Sequence, residues 1–376
     1  GFTQPELDRQ KKEFLRFIEE AFRERDKTES DNFADELVRH YLEREPIPGV
    51  SYEFELYKKY VPAIALAEVN RLAAEWMSDR NRVVLVNAPE KAGLTTPAPE
   101  QLAAVFDSAE AASLQAYADT VSGRPLMDAP PLPGTIAGEK EVPAVTEWRL
   151  SNGVRVILKP TDFKNDEILF TAYSPGGSSL VPDSEYIPAA TATSIVEEGG
   201  LNGFDAITLQ KMLMGKLVSV SPQIGELEEG LSGSSTPQDL ETMFQLIYLY
   251  FTAPRVDSSA YLAYRSRILA YLKNRSSRPE SAFEDTIEVT LSQHHPRRQP
   301  WTEQLFDRMD FRSSFNIYRD RFADASGFTF LIVGSVSPEK IRPYVLQYLG
   351  ALPGLHRNER WKDVGVRPPK GVIEKS

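Results

Sequence analysis

Apolar positions recur every three or four residues along the first part of the chain. Leu7, Phe14, Leu15, Phe17, Ile18 and Phe22, then Phe33, Leu37, Val38, Tyr41 and Leu42, sit amid dense charge over residues 4–45, the pattern of helix with one buried stripe. Glu45-Pro-Ile-Pro-Gly49 interrupts it, and Tyr52, Leu56, Tyr60, Leu66, Val69, Leu72 and Trp76 resume it as a second helical stretch. The short β-branched run Arg82-Val-Val-Leu-Val-Asn87, ending before Pro89, predicts a buried strand. Residues 98–119 predict a further helix, with Pro99 and Glu100 in its first turn.

Residues 123–145 change character, with Pro125, Pro130, Pro131, Pro133 and Pro143 and little periodicity. This composition predicts a linker crossing the surface between two domains. Alternation then begins over residues 147–158 around Asn152-Gly153, a strong hairpin signal, and again over 168–174, ending at Pro175-Gly-Gly177. Residues 188–198 and 206–215 read as helices, and 216–233 as two strands interrupted by Pro222 and Gly225. Thr236-Pro-Gln-Asp239 predicts a helix start, with a cap and a proline in the first turn, leading to an apolar helix that ends at Pro254. Ser258 or Ser259 caps a helix to about Asn274, residues 279–292 supply another, 327–334 a buried strand, and Ser337-Pro-Glu-Lys340 a last helix ending near Gly350. Few strands with helices grouped between them predict an α+β fold with a mainly antiparallel sheet covered by helices, not a doubly wound parallel sheet.

Composition narrows the chemistry. With 376 residues the chain is long enough for two to three domains. Its net charge of −11 disfavours nucleic-acid partners and leaves neutral or cationic peptides as easier ones. There is no cysteine, so disulfides, zinc–cysteine sites and thiol catalysis are excluded. The longest apolar run, residues 243–253, falls short of the roughly 20 residues that span a bilayer, and no membrane span is expected. The opening Gly-Phe-Thr-Gln-Pro-Glu has neither an initiator methionine nor a signal pattern and reads as a piece of something longer.

The stretch Tyr318-Arg-Asp-Arg-Phe322-Ala-Asp-Ala-Ser-Gly-Phe-Thr-Phe-Leu-Ile-Val-Gly334, followed by Pro338-Glu339, Tyr348-Leu-Gly350 and Leu352-Pro353, closely resembles the pitrilysin and insulinase family of zinc peptidases. Leu150-Ser-Asn-Gly-Val-Arg-Val-Ile-Leu-Lys159 resembles that family's domain-opening hairpin, and Ser174-Pro-Gly-Gly-Ser-Ser179 its following turn. Phe2-Thr-Gln-Pro-Glu6, Leu37-Val-Arg-His-Tyr-Leu42, residues 46–49 and the run from Arg82 to Pro89 resemble the latter part of another such domain. Members have four homologous α+β domains in two halves that close around a peptide, with an inverted H-x-x-E-H motif in the first. The resemblance implies that residues 1–122 end domain two, 123–145 link the halves, 146–355 form domain three and 356–376 lead into a following domain.

The metal motif itself is missing. Where it would sit, Ile187-Pro-Ala-Ala-Thr-Ala-Thr-Ser-Ile-Val-Glu-Glu-Gly199 holds no histidine, and catalytic zinc needs three protein ligands plus an open position for water. The resemblance puts the family's histidines near Ala190 and Ser194, its general base near Thr193 and its distal glutamate around Ala270. None of these side chains ligates zinc or takes a proton, so no catalytic residue is carried over and no metal is expected on this chain. Zinc is implied for an upstream domain of the parent protein.

The four histidines do not replace the motif. His40 lacks a second histidine at the inverted spacing and reads as an exposed helix residue; His294 and His295 diverge as neighbours and precede Pro296; His356 reads as solvated. Glu197-Glu198 reads as a solvated helix end, Gly176-Gly177 as a tight turn rather than a phosphate loop, and Ser232, Ser234 and Ser235 as a strand end without a catalytic triad. Phe244, Tyr248, Tyr250 and Phe251 read as core. The expectation is therefore a non-catalytic central portion, chamber wall and hinge, of a zinc endopeptidase that encloses and hydrolyses peptides, its partners being peptide substrates and the remaining domains. The alternative is an inactive family-like scaffold or non-catalytic partner subunit. Compartment is undetermined, the family pointing weakly to a bacterial periplasm.

Overall fold

The computed structural model describes residues 1–76, 83–88, 93–113, 117–119, 121, 123–275 and 278–375. Five helices come first: α1 (Gln4–Arg23), α2 (Ser30–Glu43), α3 (Val50–Tyr60), α4 (Leu66–Trp76) and α5 (Pro99–Ala111). Thr3 starts α1, its N–H and hydroxyl both donating to the Glu6 carboxylate at 2.8 and 2.7 Å, with Pro5 in the first turn. The aromatic rings of Phe22 and Phe54 stack where α1 meets α3. The apolar stripe of α2 is not buried: Phe33, Leu37, Val38, Tyr41 and Leu42 are all exposed.

Seven strands follow: β1 (Ile136–Val142), β2 (Val145–Leu150), β3 (Arg155–Pro160), β4 (Ile168–Pro175), β5 (Val218–Ile224), β6 (Glu228–Ser235) and β7 (Thr329–Gly334). They form one sheet in the order β1-β2-β3-β7-β4-β6-β5. Every neighbouring pair is antiparallel except β3 with β7. The remaining helices are α6 (Tyr186–Gly199), α7 (Ala206–Leu213), α8 (Leu240–Thr252), α9 (Ser258–Arg275), α10 (Pro279–Leu291), α11 (Glu303–Phe306), α12 (Phe311–Arg321) and α13 (Pro338–Tyr344), the last continued by a π-helical turn at Val345–Leu349. The expected α+β class, mainly antiparallel with covering helices, holds.

One face of the sheet is the core. Trp148, Leu150, Val156, Leu158, Ile168, Phe170, Phe330 and Ile332 point to it, and Met243, Phe244 and Ile247 of α8 with Tyr348 close over them. Burial therefore alternates along β2, β3 and β4, with apolar residues inward and a mixed face outward that includes Ile157 and Leu169. Gly153 makes the β2–β3 turn at φ 96°, a conformation an L side chain resists.

Several local expectations change. Arg82 lies outside the described residues, and 83–88 form no strand; Val83 is 91 % exposed, because a strand exists only by pairing and the described sheet ends at β1 and β5. The helix expected over 98–119 ends at Ala111, residues 114–116 lying outside the described set. Residues 136–142, assigned to the linker, are the edge strand β1. Thr236–Asp239 is a turn in which the Asp239 N–H reaches the Thr236 carbonyl at 3.1 Å, and α8 starts only at Leu240. Asp257, not a serine, caps α9, its carboxylate accepting the Ser259 and Ala260 N–H groups at 2.9 and 3.1 Å.

Candidate functional site

The place to test for chemistry is α6, which carries the expected motif positions. Its start is fixed by Arg297, a buried guanidinium that donates to the Ser178 and Val181 carbonyls and the Asp183 carboxylate at 2.8, 2.6 and 2.6 Å and lies over the Tyr186 ring. Its end is fixed by Arg255, which donates to the Gly199 carbonyl at 2.6 Å, and by Gly200 at φ 92°. Ile187, Ala189, Ala192, Ile195 and Val196 face inward, and Thr191 meets Ser314 of α12 at 3.1 Å.

On this helix Ala190 is exposed, and Thr193 and Ser194 are half-buried. Ala270 is exposed on α9, which packs beside α6 and reaches it through the Arg267–Glu198 ion pair. So the fold brings two neighbouring helices together at the expected corner, but their side chains there are methyls and hydroxyls. These do not fit zinc, which takes imidazole, thiolate or carboxylate donors. Glu198, near the end of the same helix, is spent on Arg267. Among the described residues no three His, Cys, Asp or Glu side chains are grouped to hold a metal ion.

The histidines serve local structure. The His40 ring contacts the Glu45 carbonyl through Nδ1 at 2.7 Å. His295 Nδ1 accepts the Arg297 N–H at 3.2 Å, which leaves Nε2–H to donate to the Val364 carbonyl at 2.9 Å. His294 and His356 adopt positive φ in loops. Ser234 meets Ser219 across β5–β6 at 3.0 Å, and Ser235 donates to the Thr236 carbonyl, so these hydroxyls have structural partners.

The Pro175-Gly-Gly177 turn is built around a carboxylate of the chain itself. Gly177 donates its N–H to Glu229 at 2.5 Å, and the Arg321 guanidinium also lies close to Gly176. Burial pushes the Glu229 carboxyl up, and the Gly177 N–H and Arg321 pull against it. Sequence reasoning singled out the glycines but not Glu229, 52 residues away in the chain. Glu197, read from sequence as part of a solvated helix end, is exposed, yet its carboxyl is pushed up by loss of hydration, opposed by the Ser221 hydroxyl and reinforced by Glu198.

No family model matches the chain. It is 27 % identical over 358 residues to an Arabidopsis thaliana protein named "Zinc protease PQQL-like", covering 94 % of the chain and 35 % of that protein. A Haemophilus influenzae protein, "Probable zinc protease PqqL", is 23 % identical over 94 % of the chain and 38 % of its own length. These relatives bear out the resemblance to the pitrilysin/insulinase family of zinc peptidases. The chain's fold matches the crystal structure of the periplasmic protease PqqL from Escherichia coli, with a TM-score of 0.55 and 21 % identity over 98 % of the chain and 40 % of that structure. The ferredoxin protease FusC matches with the same TM-score of 0.55 at 17 % identity, over 90 % of the chain and 37 % of its own. The chain thus spans little more than a third of the length of the curated relatives it matches. Among the described residues no helix is long and apolar enough to cross a membrane.

Proposed function

We propose that this chain is the non-catalytic central portion of a zinc-dependent endopeptidase that encloses and hydrolyses peptides, serving as chamber wall and as the joint between two halves. The observation that supports this reading is α6: the helix on which the resemblance sets the metal motif holds no histidine, with Ala190, Thr193 and Ser194 at the positions expected for ligands and base. A peptidase mechanism needs a carboxylate to take a proton from metal-activated water, and that work falls to another domain. Residues 1–122 belong to domain two, and 146–355 with the added strand β1 make domain three.

The joint lies ahead of Leu126. That side chain is buried, its carbonyl accepts from Asn202 at 2.7 Å, and the Gly134 N–H reaches the Leu346 carbonyl at 2.8 Å. From Leu126 onward the connection is fastened to the sheet domain. The periplasmic Escherichia coli neighbour supports an extracytoplasmic setting.

The test is peptide hydrolysis by a protein in which this chain follows its upstream polypeptide, with and without a zinc chelator. Chelator-sensitive cleavage is expected. Cleavage that survives the chelator would sink the zinc reading, and no cleavage together with no upstream H-x-x-E-H would favour the scaffold.

A further inference from the structure

Between α1 and the α6, α7 and β5 side of the domain runs an open groove of about 880 Å³. Glu13 and Phe17 enter it from α1, Glu197 from α6, Leu209 and Leu213 from α7 and Ser221 from β5. Glu13 and Phe17 are i and i+4 neighbours, so a carboxylate and an aromatic ring share one face of the helix; Phe17 is 62 % exposed. Among the described residues neither Glu13 nor Glu197 forms an ion pair, Glu13 accepting only from the Gln10 amide at 2.7 Å. The cations of the groove are already engaged, Arg16 on Thr236 and Asp239 at 2.7 and 3.3 Å and Lys216 on Thr242 at 2.7 Å.

We propose that this groove is a docking subsite for a peptide segment bearing a lysine or arginine, its cation shared between Glu197 and Glu13 and its aliphatic stem lying over Phe17. Long basic side chains carry an apolar stem and a charged head, and a ring beside carboxylates suits both parts. The apolar wall of Leu209 and Leu213 takes a neighbouring apolar residue. An acid, or a purely apolar segment, would leave the two carboxylates facing like charge or losing water without a partner. The subsite rests on the peptide-enclosing reading and names the class of peptide that would be held away from the metal.

Fluorescence anisotropy of a labelled peptide of alternating lysine and leucine, titrated with the full chain at low salt, tests this directly. The same peptide with glutamate for each lysine is the ligand control. Because the chain carries a net negative charge, Glu280→Gln/Glu288→Gln on α10, both exposed, is the matched charge control. Binding of the basic peptide that weakens about tenfold in Glu13→Gln/Glu197→Gln, falls with Phe17→Ala and stays intact in Glu280→Gln/Glu288→Gln is the expected result. Absence of binding, or equal weakening by Glu280→Gln/Glu288→Gln, would overturn the subsite. Chelator-sensitive hydrolysis by the longer protein would stand even then, so the two failures are distinguishable.

Discussion

Arg16 and Asp166 meet at 3.6 Å across the seam between α1 and the sheet domain, each side chain no more than 4 % exposed. Asp239 lies 3.3 Å from the same guanidinium, and Arg23 reaches Asp166 from about two turns further along α1 at 2.9 Å. Removing one member of such a buried group strands the others without a partner, which costs more than the group contributes as a whole. Arg16→Leu is expected to lower stability by about 3 kcal/mol, measured by urea denaturation. A loss below about 0.5 kcal/mol would mean that water enters the seam and α1 is only loosely held.

The buried core and the exposed apolar stripe of α2 should respond very differently to truncation. Phe330 on β7 is fully buried and Phe33 on α2 is half exposed. Phe330→Ala is expected to cost about 3–5 kcal/mol through lost burial and the cavity left behind, whereas Phe33→Ala should stay within about 0.5 kcal/mol. Denaturant midpoints of the two variants give the comparison, and equal losses would show that α2 is covered in solution.

Two carboxyls shape the pH dependence with opposite sign. Burial opposes ionisation of Asp324, but N–H groups from Arg357, Ser326 and Leu355 hold it down to about 2. Its value lies below that of the unfolded chain, so its contribution is present above about pH 4 and is lost as pH falls toward 2. Asp324→Asn should remove about 2 kcal/mol at neutral pH and flatten the acid limb of a stability–pH curve. Glu229 is displaced upward by burial, so its contribution is complete below about pH 4.3 and fades as pH rises through its own value. Glu229→Gln should flatten that second limb while keeping an acceptor for Gly177. A steeper curve in either variant would contradict the assignment.

Metal content is a direct check on α6. After chelator stripping and zinc re-addition at neutral pH, plasma mass spectrometry of the purified chain should find well under one zinc per molecule. Stoichiometric, tightly held zinc would place a ligand set outside the Ala190, Thr193, Ser194 and Ala270 corner.

How much of this was legible follows from how local each signal is. Alternation located β2, β3 and β4 because one face of each is buried, and Asn152-Gly153 located their turn. Strand β1 was hidden because Gly138, Glu139, Lys140 and Glu141 lie on an exposed sheet edge, where no burial imposes a pattern. The run 83–88 failed in the opposite direction: composition favours a strand, but pairing decides. Asp257 took the cap from the serines because a carboxylate placed one residue earlier reaches two free N–H groups. In the site, the missing ligands could be read from residue types alone. Glu197 could not, since its partners in the groove come from α1, some 180 residues earlier, and only folding juxtaposes them.

The segment after the π-helical turn that continues α13 has no regular structure, yet it is stitched down from Leu355 to Pro368. Asp324 holds the Leu355 and Arg357 N–H groups, Arg321 grips Glu359 through two bonds at 3.0 and 3.1 Å, Ser179 accepts the Lys362 N–H, and His295 and Gln293 hold the Val364, Arg367 and Pro368 carbonyls. Such a run behaves as a lever arm welded to the sheet, not as a tether. A polypeptide continued beyond Pro368 would leave the domain at a set point and heading, and a tilt of the sheet would be passed on to it rather than absorbed.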